Sequence, residues 1–173
     1  MNANRPIESL ARTAPIICSL VSGLDETQWR FTPPNGNWSI LEIVCHVADE
    51  EVDDFRTRLK LTLESPELPW PQIDPVGAAI TRQYKTQIPG NVLRRFDAER
   101  QNSMAWLRTL HNQNWDQTHQ HPQFGPIPAG DLLNAWAAHD LLHIRQITKR
   151  LFELNALDAK PYENRYAGNW AEA

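Results

Sequence analysis

Apolar residues along this chain recur at three- and four-residue intervals and nowhere alternate convincingly, so the pattern predicts helices and no sheet. Ile7, Leu10, Ala14, Ile17, Leu20, Val21 and Leu24 share one face, which places a first helix from about Pro6 to Gly23 or Leu24. Pro15 falls inside it, where a proline removes a backbone donor and crowds the preceding turn, so a kink or a two-part helix is expected. Ser39 with Glu42 forms a capping box, and Trp38 with Ile43 is placed as its hydrophobic staple. A second helix should run from that cap to about Leu63, with His46, Glu50, Asp53 and Thr57 on one face. A short helix is expected over Pro75 to Gln87. A third long helix follows Asn91, with Val92, Leu93, Phe96, Met104, Leu107 and Leu110 in register. Asn112 to Pro128 reads as loop, and a fourth helix runs from about Ala129 to Leu154. Residues 155–173 form a tail whose Tyr162, Tyr166 and Trp170 can fold back on the body.

Four long helices joined by proline-rich loops define an all-α chain, a four-helix bundle in a single domain spanning residues 1–173. Composition leaves that picture intact: 41% hydrophobic and 22% charged residues suit an ordinary globular domain. A formal charge of −4 with no block of Lys or Arg argues against nucleic acid or an anionic membrane as the partner. No apolar run approaches the roughly 20 residues of a membrane helix. Cys18 and Cys45 make neither a disulfide framework nor a CxxC pair, which suits a cytoplasmic protein.

Histidine placement adds candidate chemistry. His139 and His143 stand one helical turn apart in Trp136-Ala-Ala-His139-Asp140-Leu-Leu-His143-Ile-Arg-Gln-Ile147, so both imidazoles leave the same face. A helix offers two nitrogen ligands to one metal ion in this way. The spacing equally suits two core histidines that hydrogen-bond within a bundle. His46 supplies a third ring from the second helix, and three histidines from two helices would leave an open coordination position. Neutral imidazoles leave the charge of a divalent ion intact, which favours activation of bound water or of a thiol. Glu50, one turn from His46, and Asp49, three residues from it, are candidates for a general base or a supporting partner. The remaining histidines are weaker candidates: His111 stands near a helix end, where a cation favours the dipole, and His119 and His121, in a polar loop, read as surface residues.

Two segments carry a family resemblance. Trp38-Ser-Ile-Leu-Glu-Ile-Val-Cys-His46-Val-Ala-Asp49-Glu50 resembles the second-helix motif of the DinB/YfiT-like superfamily. His121-Pro-Gln-Phe-Gly125-Pro-Ile-Pro, followed by His139-Asp140-Leu-Leu-His143-Ile-Arg-Gln146-Ile, resembles that family's approach to its fourth helix and the helix itself. The likeness extends from near Arg5 to near Leu154. It implies a bundle, often homodimeric, with one divalent metal (zinc, nickel or iron) held by His46, His139 and His143. It also implies activity on small molecules, either thiol-dependent transfer or isomerisation using bacillithiol, mycothiol or glutathione, or metal-dependent hydrolysis. A non-catalytic, stress-related metal-binding bundle, with Glu50 closing the site, is the rival reading. Pro128 departs from the pattern, standing where the family often has a threonine cap, and Pro15 interrupts the first helix.

Overall fold

The computed structural model describes residues 2–170. Helix α1 spans Asn4–Leu20 and a short α2 spans Glu26–Arg30. The second long helix comprises α3 (Ile40–Glu50), a π-helical stretch (Glu51–Arg56) and α4 (Thr57–Glu64) in direct succession. After α5 (Pro75–Thr81) and a turn of 3₁₀ helix at Tyr84–Thr86 come α6 (Pro89–Leu107) and α7 (Ala129–Asp158). Both α1 and the α3–α4 unit pack on α6 and α7, which places α1 diagonal to the α3–α4 unit and α6 diagonal to α7 in a four-helix bundle.

Local chemistry accounts for the main boundaries. The Ser39 hydroxyl accepts from the Glu42 amide, and the Glu42 carboxylate accepts in return from the Ser39 amide at 2.9 Å, as the capping box predicts. A second capping box, Asp25 with Gln28, starts α2, a short helix beyond the expected end of the first and not predicted from the apolar pattern. Pro15 does not end α1. It is exposed, so the carbonyl it leaves unpaired faces solvent, where water satisfies it. Pro128 caps α7 without a side-chain bond. Instead the Ala129 and Gly130 amides donate to the carbonyls of Gln117 and Trp115, at 2.8 and 2.9 Å.

The segment before α7 corrects the expectation of an unstructured loop. Thr118–His121 (β1) and Gly125–Pro128 (β2) pair antiparallel, with Thr118 opposite Pro128 and His121 opposite Gly125. Gly125 takes φ +71°, a conformation that favours glycine. His121 Nδ1 accepts from the amides of Gln123 and Phe124, tying the turn.

The core has two apolar clusters separated by a buried polar layer. Ala14, Ala48, Phe96 and Ile147 belong to one cluster, and Leu10, Phe55, Met104 and Ala137 to the other. Between them, along each long helix, stand Thr13, Glu51, Arg100 and Asp140, all at most 3% exposed. Arg100 donates to both Glu51 oxygens at 2.8 Å, to Asp140 Oδ2 at 2.7 Å and to the Leu10 carbonyl at 2.8 Å. Trp136 Nε1 donates to Glu51 at 3.1 Å, and the Thr13 hydroxyl bonds Asp140. One guanidinium on α6 thereby satisfies buried groups on the other three corners of the bundle.

Candidate metal centre

The capped start of α3 sets its buried face, and that face carries His46 inward. Trp38 lies over the His46 ring with centroids 5.0 Å apart. His139 and His143 project from α7 towards it. Their ring centroids are 5.4 and 4.7 Å from that of His46 and 4.2 Å from each other. Each of the three rings offers one ligand atom, and these atoms lie within 4.8 Å of one another. Among the described residues no carboxylate oxygen or cysteine sulfur joins that group.

The donor set fits a transition-metal cation. Burial drives His46 and His139 down to about 3 and lowers His143, so all three rings are neutral near pH 7 and present lone pairs. His143 Nδ1 meets the Gln146 side-chain oxygen at 2.9 Å; that oxygen accepts, so the proton sits on Nδ1 and Nε2 is unprotonated. His143 Nε2 then lies 3.0 Å from His139 Nε2. His46 Nδ1 is buried without a hydrogen-bond partner, since Glu50 Oε1 stands 3.7 Å away. A buried ring nitrogen left in this state costs free energy that a ligated cation offsets. Phe55 lies against His139 at 4.9 Å and closes that side with apolar surface.

The two candidate carboxylates diverge. Glu50 turns towards His46, and burial followed by the neighbouring Asp54 pushes its acid up to about 8. Asp49 points elsewhere: it accepts from Tyr84 Oη at 2.5 Å and from Arg82 at 2.7 Å, and pairs with Arg95. Arg82 also holds Asp53 at 2.7 Å. Cys45 is fully buried and its thiol is pushed up to about 12 by burial, so it stays a protonated packing residue. His119 corrects the surface reading: it is buried beneath Trp70, ring centroids 4.4 Å apart, with Nδ1 3.0 Å from the Pro66 carbonyl. His111 is exposed. Gln146 was not anticipated, although its place three residues after His143 on one helix was a usable signal.

Cavities flank the triad in opposite directions along the helices. One of about 280 Å³ lies beyond Glu50 and is lined by Asp49, Glu50, Asp53, Asp74, Arg82 and Tyr84 among others. The other, about 310 Å³, is lined by Gly36, Asn37, Trp38, Ile43, Gln146 and Arg150. No helix among the described residues is long and apolar enough to cross a membrane.

The fold is a four-helix bundle that carries three clustered, neutral imidazoles able to hold a metal ion. The chain belongs to the DinB superfamily, whose family model matches residues 10–147. It is 26% identical over 144 residues to a protein of Oceanobacillus iheyensis named "Putative metal-dependent hydrolase", covering 82% of this chain and 80% of that one. Its fold matches that of YfiT from Bacillus subtilis with a TM-score of 0.79 at 22% identity, over 88% of this chain and 87% of that one. YfiT is described as "a probable metal-dependent hydrolase with an unusual four-helix bundle topology".

Proposed function

We propose that this protein is a metal-dependent enzyme acting on a small molecule, with His46, His139 and His143 as ligands of one divalent transition metal, zinc, nickel or iron. The observation that carries the reading is the cluster of three neutral imidazoles that, among the described residues, no carboxylate joins. A divalent cation there supplies Lewis acidity, enough to make water or a low-molecular-weight thiol nucleophilic near neutral pH. Gln146 holds His143 in its ligating tautomer, and Trp38 and Phe55 fence the rings from solvent. Glu50 carries the proton released by the nucleophile, since its carboxyl lies beside His46 and is poised near neutrality by burial. Asp49 pairs with Arg95 and orients Arg82 and Tyr84, which line the same cavity as Glu50. The names of the relatives favour hydrolysis, and the family resemblance admits thiol transfer. The reading takes the protein as a homodimer on the same resemblance, and as cytoplasmic on its cysteine usage.

Zinc- and nickel-loaded protein incubated with activated esters, and with epoxide or halogenated electrophiles with and without thiol, tests the proposal. Turnover with water alone assigns hydrolysis, and turnover only with thiol assigns transfer. E50Q should lower either rate by about a hundredfold, the usual worth of a positioned proton carrier. An E50Q enzyme as fast as wild type would remove Glu50 from the mechanism.

A further inference from the structure

On the side of the triad away from Glu50, the protein's charge reverses. Beyond His143, α7 carries Arg145, Gln146, Lys149 and Arg150, and these residues line two adjoining cavities. The first is the 310 Å³ cavity bounded by Trp38, the residue that covers His46. The second, about 360 Å³, continues outward past Leu142, Arg145 and Lys149 to Trp170. Asn37, Gln146 and Arg150 line both, so the two form one groove that ends beside the triad.

Arg150 is the informative residue. Its side chain is only 4% exposed, yet among the described residues its Nε has no hydrogen-bond partner, and its sole ion-pair contact is Nη1 with Glu153 at 2.9 Å. A buried guanidinium with an unused donor is costly, and its planar fork is complementary to a bidentate anion. Arg145 and Lys149 have no ion-pair partner among the described residues, so with Arg150 against Glu153 the groove retains positive charge. This occurs in a chain of net charge −4, and opposite the acidic cavity at Glu50. Side-chain amides of Asn37 and Gln146 complete a polar lining with apolar walls at Trp38, Ile43 and Leu142.

We propose that this groove, lined by Arg150, Gln146 and Asn37, is an anion subsite that holds the carboxylate of the substrate while its reacting end reaches the triad. The inference deepens the proposed enzymatic reading and rests on it for the word substrate. A carboxylate matches because it is planar, accepts two parallel hydrogen bonds from a guanidinium and fits a cavity of this volume with apolar chain to spare. Attraction by Arg145 and Lys149 draws the anion to the outer mouth, and Arg150 fixes it at the inner end.

Calorimetric titration of the metal-free protein with succinate, dimethyl succinate and inorganic phosphate tests the subsite without depending on the metal. Succinate should bind, its uncharged ester should not, and phosphate should bind more weakly. R150Q should weaken succinate by about tenfold or more, the scale of one charge-assisted hydrogen bond. R145A/K149A, a change at the outer mouth that spares the buried arginine, should weaken it severalfold, so the test survives if R150Q does not fold. Absence of succinate binding, equal binding of succinate and phosphate, or no loss in R145A/K149A would each overturn the subsite. A protein that binds succinate as predicted but never takes up metal would sink the enzymatic reading and leave the anion subsite standing.

Discussion

An imidazole ligates through a lone pair, so the protonation state in which this protein keeps its histidines matters as much as their proximity. Burial keeps His46 and His139 near 3 against an ordinary value of 6.5. In the metal-free protein the unfolded chain therefore takes up protons below about pH 6.5 that the folded one refuses. Stability from these rings is fully present above 6.5 and is lost as the pH falls towards 3, at about 1 kcal/mol per pH unit for each ring. Glu50 works in the opposite sense, because its folded value of about 8 lies above its ordinary 4.5. Its contribution is present below 4.5 and is lost as the pH rises through 8. Urea midpoints of metal-free wild type and E50Q against pH resolve the two effects. E50Q should abolish the decline towards pH 8 and steepen the loss between 6.5 and 4.5. Parallel curves for the two proteins would refute the placement of Glu50 in a desolvated pocket.

Among the elements, the second long helix decides the geometry of the site. A uniform helix from Ser39 to Leu63 was the expectation, and its start was legible because a capping box is a short-range signal. The π-helical stretch was not legible, since one widened turn leaves the run of apolar residues almost unchanged while shifting every later side chain around the axis. That shift accompanies a buried Glu51 against Arg100 and Phe55 against His139. Likewise, strands of four residues with two prolines and two histidines among them give too little alternation to be read as the β1–β2 hairpin. Arg100 joins these elements. R100M should cost about 3–5 kcal/mol in urea unfolding, because Glu51 and Asp140 are left buried without a counter-charge. A loss below about 1 kcal/mol would show that water replaces the guanidinium and that the polar layer is not sealed.

At the scale of the whole molecule, function follows from where the bundle is polar inside. Spacing on α7 made His139 and His143 legible, and the motif on α3 added His46, but nothing in the chain's linear order shows that α3 and α7 are neighbours. That adjacency arises because α6 and α7 stand diagonally and both flank the α3–α4 unit, a property of the topology. The same topology sets an acidic cavity at Glu50 and a basic groove at Arg150 on either side of the rings, whereas the net charge alone suggested only an acidic protein. The most direct test of the central claim is elemental analysis of untagged protein purified without chelator, alongside H143A. The account predicts close to one equivalent of a transition metal in wild type and its loss in H143A, since two imidazoles hold a divalent ion far less tightly than three. Wild-type protein that binds no metal, even after reconstitution with zinc, nickel and iron, would contradict it and leave the three histidines as buried core residues.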